Sequence, residues 1–342
     1  MRNTAKSDVQ AWNGPLANDW ETFRGDVAVN CVPVVFRQAL NDWPVIQTAR
    51  RSRNDLTDYL RAHATGNRVQ LFCGAPDITG RYYYDDNLDG FNFDRKIATI
   101  ANSLDYIMAC VADTKLGTAY LGSLPADSNF PGFSDENTVA FLPEGVEPRI
   151  WIGNASSVAC HYDTFDNLAC VVAGRRTFTL YPPEAIGDLY VGPIDHTMAG
   201  QPVGLAVQAP SGDPRYPRFE SIREHALEVT LEPGDALYLP KLWWHQVEAS
   251  EPLNMLVNYW WDGFSAGPDA PLTTLMLAMI AIAERPERER AAWHTFFDHY
   301  VFRPERHPLE HLPPDKHGIL GPLSEGNYRK VRAAVMQMLR GV

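Results

Sequence analysis

The chain has 342 residues with a formal charge of −12, 45% hydrophobic and 21% charged residues, which is the make-up of a soluble globular protein of one large or two modest domains. The acidic balance argues against a nucleic-acid partner held through phosphates. The five cysteines are scattered without CxxC spacing, which excludes a disulfide framework or zinc cluster and fits a reducing, cytoplasmic setting.

The first fifteen residues lack the apolar core of a secretory signal, and the most apolar run, Leu275 to Ala283, is too short to span a bilayer, so no membrane association is expected. Residues 1–30 read as irregular or helical. Val32 to Phe36 reads as a strand, and Arg37 to Trp43 as a helical turn closed by Pro44. Residues 52–64 open on a Ser/Asn cap and space Leu56, Tyr59, Leu60 and His63 helically. Val69–Cys73 and Arg81–Tyr84 are strand-like, and the aromatic run Tyr82-Tyr83-Tyr84 fits either core packing, the favoured reading, or a substrate face. Residues 95–112 carry Ile97, Ile100, Leu104, Ile107 and Met108 at helical spacing, and Thr118 to Leu121 resumes strand character.

The organising stretch is RIWIGNASSVACHYDTFDNLACVVAGRRTFTLYPP, from Arg149 to Pro183. Side chains two apart on a strand share a face, so His161 and Asp163 look the same way while Cys160, a small buried hydrophobe, and Tyr162 look the other. An imidazole and a carboxylate in this relation are two-thirds of the 2-His-1-carboxylate set that holds non-haem Fe(II) with three positions open. The third ligand has a candidate in His245, 84 positions further on, within PGDALYLPKLWWHQV. There Pro233-Gly234 marks a turn, Ala236 to Leu239 a short strand, and Pro240 the end of ladder pairing. Trp243 and Trp244 read as packing residues. Asp188 to Ala226, rich in Pro, Gly and charge, is too long for an ordinary connection and reads as an excursion that rims a pocket. The last strand, Asn254 to Trp261, alternates Met255, Val257, Tyr259 and Trp261 against Asn254, Leu256, Asn258 and Trp260. Beyond Gly263 come three helices, Leu272–Ala283, Arg288–Tyr300 and Tyr328–Leu339. The other histidines show no ligand arrangement.

HYDTFDN, GRRTFTLYPP, PGDALYLPKLWWHQV and NMLVNYWWDG together resemble the JmjC/cupin-8 family of 2-oxoglutarate-dependent oxygenases, particularly the hypoxia-inducible-factor asparaginyl hydroxylase. The likeness covers about Cys31 to Gly263. It implies a mainly β fold: a double-stranded β-helix, a jelly-roll or cupin-like barrel, with flanking helices and a C-terminal helical segment. The expected divisions are an N-terminal α/β elaboration over 1–115, the catalytic barrel over 116–263, and a helical segment over 264–342. In the related hydroxylases that segment makes a homodimer; its apolar run fits either this or packing on its own barrel.

The resemblance further implies Fe(II) held by His161, Asp163 and His245, with 2-oxoglutarate as cosubstrate and O2 as oxidant. The products are succinate, CO2 and a hydroxylated C–H bond of a protein or peptide side chain or a small molecule. Arg176, 13 positions after Asp163, stands where the hydroxylase has a lysine and matches the anchor of the cosubstrate's far carboxylate. A guanidinium forks onto a carboxylate, so the exchange is chemically sound. Its neighbour Arg175 should face outward. A surface ion pair is the alternative for either arginine. Tyr120 matches the tyrosine bonded to the same carboxylate, Asn167 and Asn258 match two asparagines near the metal, and Trp260 matches a tryptophan bounding the substrate pocket. The chain departs from the family at Val158, where relatives carry a threonine that helps hold 2-oxoglutarate; Ser156, Ser157 or Thr177 are the nearby hydroxyls. The competing reading is a non-catalytic cupin that binds a metal or small molecule without turnover.

Overall fold

The computed structural model describes residues 7–14, 17–198, 200–265, 267–323 and 326–341. They form two compact units, one ending at Gly263 and the other beginning at Phe264. The first is built on eight strands: β1 (Pro148–Gly153), β2 (Ser156–His161), β3 (Asp166–Ala173), β4 (Arg176–Tyr181), β5 (Leu227–Leu231), β6 (Ala236–Leu239), β7 (Trp244–Ala249) and β8 (Asn254–Trp261). Successive strands change sheet except at β4–β5, which are neighbours, giving β6–β3–β8–β1 in one sheet and β5–β4–β7–β2 in the other. All of these ladders are antiparallel. The fold is therefore a double-stranded β-helix, two sheets closed face to face around an interior.

N-terminal strands widen both sheets. Thr118–Pro125, Arg68–Gly74 and Phe93–Thr99 continue the first beyond β1, and Arg81–Tyr82 runs parallel to β2 at the edge of the second. Helices Trp20–Asp26, Pro44–Arg51, Arg53–His63 and Ile100–Ala112 bury Phe23, Ile46, Leu56, Leu60, Leu104 and Ile107 in one cluster with Tyr238, Tyr259 and Trp261 of the first sheet. Each such side chain, fully removed from water, contributes roughly 1.5–3 kcal/mol. Strand β8 shows how one sequence alternation serves two surroundings: Met255, Val257, Tyr259 and Trp261 enter this outer core, while Leu256, Asn258 and Trp260 face the barrel interior. A second cluster, including Val171, Phe178, Leu180, Leu237 and Leu239, fills the interior itself.

Three local expectations are corrected. The helix expected over 95–112 begins only at Ile100; Phe93–Thr99 is a strand paired with Arg68–Gly74, and Ile97 is exposed. Thr99 marks the change, its hydroxyl accepting from the Asn102 amide as a helix cap. Pro44 opens the helix Pro44–Arg51 instead of closing a turn, because a first-turn residue needs no amide donor and proline's φ is already helical. Of Arg81–Tyr84 only Arg81–Tyr82 is a strand.

The turn from β5 to β6 explains the Pro233-Gly234-Asp235 motif. Gly234 has φ +103°, and a Cβ there would lie 2.4 Å from Asn41 Oδ1, so only glycine fits. Asp235 is buried and accepts from the Gln38 amide (2.8 Å), the Glu232 amide (3.1 Å), Arg37 Nη1 (2.7 Å) and Gln38 Nε2 (3.0 Å). Burial pushes its pKa up, but these donors outweigh burial and hold it below the ordinary carboxylate value. Asp235→Ala leaves two amides without an acceptor and is expected to cost about 3 kcal/mol in chemical denaturation. Because the folded pKa is the lower one, the contribution is complete above the unfolded value near ~4 and fades as pH falls through the folded value. The stability gap between wild type and variant should accordingly narrow below about pH 4.

In the second unit, helices Pro271–Ile282 and Glu287–Phe297 are separated by Pro286, and Asn327–Arg340 follows. The hydroxyl of Tyr328 and Arg332 Nε both bind Asp269. Among the described residues no helix is long and apolar enough to cross a membrane.

Candidate metal centre

His161 ends β2 and His245 stands directly opposite it on β7, so the two rings share a face with centroids 4.3 Å apart. Between His245 and Val247 the ladder slips by one residue, which brings both Val158 and His161 of β2 to the interior although they are three apart. Asp163 lies just past the end of the strand, so alternation alone does not orient it. Its carbonyl accepts from the Leu242 amide at 2.8 Å, and this bond pins the Asp163 loop to the turn that leads into β7. Leu242 holds φ +69°, an unfavoured conformation for a leucine that the turn imposes one step before Trp243, Trp244 and His245. Tyr162 and Trp244 meet edge-on at 4.8 Å outside the barrel, where Cys160 is also buried, so alternation holds for these three.

The ligand atoms of His161, Asp163 and His245 all lie within 4.8 Å of one another. Among the described residues no other three His, Cys, Asp or Glu side chains converge in this way. Each imidazole is fixed by its Nδ1, which bonds Ala159 O at 2.8 Å in His161 and Trp243 O at 3.0 Å in His245. A carbonyl can only accept, so Nδ1 carries the proton and Nε2 presents a lone pair. Burial, reinforced by the neighbouring His161 and opposed by Asp163, pushes the His245 pKa down to about 4, so its ring is neutral at pH 7. His245 Nε2 and Asp163 Oδ2 are 3.8 Å apart, too far for a hydrogen bond. Two imidazoles that present Nε2 and one carboxylate, among the described residues without thiolate and without a fourth His, Cys, Asp or Glu donor, suit an open-sided divalent site. The donor set fits Fe(II).

The same cavity, about 130 Å³, is lined by Tyr120, Asn167, Arg176, Asn258 and Trp260 together with the three ligands. Arg176 opens β4 after Gly174, whose φ of +74° makes the tight turn; a Cβ there would sit 2.2 Å from Asn254 Oδ1. Alternation then sends Arg176 and Phe178 inward, whereas Arg175 is exposed beside Glu232 at 3.7 Å. Arg176 has no ion pair among the described residues, and its buried Nε has no hydrogen-bond partner. Burial lowers its pKa to about 10, so it remains a cation at pH 7. A guanidinium lining the cavity with a buried, unmatched Nε donor is the complement of a carboxylate end group. The residues present therefore fit 2-oxoglutarate.

Asn258 Nδ2 donates to Asn167 Oδ1 at 3.1 Å, and Trp151 Nε1 donates to Asn258 Oδ1 at 2.7 Å, which fixes the amide between them. Trp260 is held edge-on by Trp151 at 6.2 Å and lies under Arg149 at 5.5 Å, while its own buried Nε1 has no partner among the described residues. Trp244 is buried, and Trp243 Nε1 donates to Cys31 O, so both have the packing roles expected. Met198, Gln201 and Val203 of the long excursion complete the lining, and Val203 bridges to His161. None of Ser156, Ser157 and Thr177 lines the cavity; Thr177 is turned to Thr230 at 2.9 Å. The sequence reading missed Tyr82, Phe93 and Trp151, which also line the cavity. Aromatic strand residues look alike whether they face a core or a pocket, so for these three no sequence signal existed.

The Cupin-like domain family matches residues 20–267. The chain belongs to this family. Its relatives include lysine-specific demethylase JMJ31 of Arabidopsis thaliana, 34% identical over 44% of this chain and 26% of that protein. HSPB1-associated protein 1 of Homo sapiens is 31% identical over 48% of this chain and 32% of its own length. Lysine-specific demethylase 8 of Xenopus tropicalis is 24% identical over 71% of this chain and 51% of its own. The chain thus spans between a quarter and about half of the length of these relatives. For a cupin-like barrel, the interior triad is the place to seek chemistry.

Proposed function

We propose that this cupin-like protein is an Fe(II)- and 2-oxoglutarate-dependent oxygenase that hydroxylates a C–H bond, with release of succinate and CO2. The observation that carries this reading is the sharing of one cavity by an open His161–Asp163–His245 set and Arg176, whose Nε is buried and which has no ion pair among the described residues. Iron, 2-oxoglutarate and O2 would supply oxidative decarboxylation and C–H hydroxylation. The chain's own part is to hold and orient. His161 and His245 bind through Nε2 because their Nδ1 protons are committed to carbonyls, and Asp163 supplies the anionic oxygen. Arg176 takes the far carboxylate of the cosubstrate, with Tyr120 beside it, and Asn167 and Asn258 orient the near end. Phe178, Val203, Val247 and Leu256 keep water from the reacting centre.

Two of the relatives are named lysine-specific demethylases; our reading is hydroxylation of a side chain or small molecule, for which Trp260 Nε1 offers a donor to a substrate oxygen. The test is succinate formation from 2-oxoglutarate by the Fe(II)-loaded protein across panels of peptides and metabolites. Metal binding without any 2-oxoglutarate turnover would favour the non-catalytic cupin.

We further propose that the C-terminal unit self-associates. Within the C-terminal unit, helix Pro271–Ile282 buries none of its described residues, and Ile280 is 84% exposed. Ile280→Glu together with Leu275→Glu should shift the sedimentation coefficient from dimer to monomer; a monomeric wild type would reject the proposal.

A further inference from the structure

The cavity wall beside Val158 carries a hydroxyl group from a different strand. Arg81–Tyr82 pairs in parallel with β2, and the register sets Tyr82 against Val158. Val158 in turn faces Val247 of β7, and Val247 faces Phe178 of β4. Phe178, Val247, Val158 and Tyr82 thus form one inward row across the second sheet, and all four line the cavity. Arg176 lies two residues from Phe178 on the same face. The Tyr82 ring meets the Tyr120 ring edge-on at 4.7 Å, so phenols from the two sheets touch within the interior.

The hydrogen bonding of Tyr82 is incomplete in a particular sense. Thr118 Oγ1 donates to the Tyr82 oxygen at 3.0 Å, which leaves the phenolic proton for another acceptor. Among the described residues none takes it, and the Tyr120 hydroxyl has no partner either. Tyr82 is 2% exposed, so water is a poor substitute, and burial raises its pKa, keeping the proton in place. The cavity therefore presents the Arg176 guanidinium with a buried free Nε, the buried Tyr82 phenol and the half-buried Tyr120 phenol, and among the described residues the only carboxylate lining it is the metal-ligand candidate Asp163.

We propose that Tyr82 is a positioning residue for the cosubstrate, a second phenolic donor that with Tyr120 and Arg176 grips the far carboxylate of 2-oxoglutarate. The assignment rests on the oxygenase reading above. It accounts for the apolar Val158: the hydroxyl at this part of the wall comes from the neighbouring strand, oriented by Thr118.

Calorimetric titration of the Mn(II)-loaded protein with 2-oxoglutarate, and separately with pyruvate, which lacks the far carboxylate, tests the role. Tyr82→Phe keeps the ring and its packing and should weaken 2-oxoglutarate binding about tenfold or more, as for loss of one hydrogen bond to a charged group. Pyruvate and Mn(II) affinities should be unchanged. Thr118→Val, which frees the phenol to rotate, should give a smaller loss in the same direction. Equal 2-oxoglutarate affinity in wild type and Tyr82→Phe would overturn the role of Tyr82 alone, as would a matching loss for pyruvate. Absence of 2-oxoglutarate binding to the wild type would overturn the oxygenase reading with it.

Discussion

Asp163→Ala and His245→Ala should each lose tight Fe(II) binding and lower succinate formation about a thousandfold. A metal ion supplies several kcal/mol of charge stabilisation, and each 1.36 kcal/mol is a factor of ten. The two variants should differ in stability. Asp163 makes no side-chain hydrogen bond among the described residues, and its carboxylate faces the neutral imidazole of His245; removing it should leave the melting temperature of the metal-free protein unchanged or slightly raised. His245 is buried with its Nδ1 on Trp243 O, so alanine there leaves a void and an unmatched carbonyl, costing about 2–4 kcal/mol. Metal content after desalting and thermal melts with and without Fe(II) separate these effects. An Asp163→Ala variant that keeps both iron and turnover would remove the basis of the metal assignment.

How far the site can be read from the residues depends on which rule positions each one. His161 and Arg176 are set by strand alternation, and the Gly174 turn resets the register of β4, so their inward direction follows from spacing alone. Asp163 obeys the same count for a different reason, since the strand ends at His161 and a backbone bond from Leu242 does the holding. That bond joins residues far apart in the chain and leaves no local trace. The bulge that admits Val158 beside His161 is equally silent. Tyr82 shows the largest gap. Its neighbour in space is Val158, 76 positions later, and an aromatic at a sheet edge carries the same pattern whether it meets a core or a cavity. The helix expected from Arg95 failed because Ile97, Ile100 and Leu104 fit a helical stripe while Thr99, a cap in the middle of that stripe, outranks periodicity.

Arg176→Met should separate cosubstrate binding from folding. In the protein without 2-oxoglutarate, Arg176 is a charge taken out of water with an unmatched Nε, and a flexible apolar side chain of similar length removes that cost. The variant should therefore melt at the same or a higher temperature than wild type when neither has ligand. With 2-oxoglutarate the order reverses. Truncating one partner of a buried charge pair costs about 2–5 kcal/mol, so affinity should fall roughly 30-fold to several thousandfold. Wild type gains about 2.7 kcal/mol of stability at a hundredfold excess of ligand over Kd, and the variant gains almost none at that concentration. Arg176→Lys keeps the charge without the planar fork and should fall between the two. Fe(II) binding should be equal in all three, because the arginine touches none of the metal ligands. A melting shift with 2-oxoglutarate that survives Arg176→Met would mean the far carboxylate is held elsewhere, and that the buried arginine serves another anion.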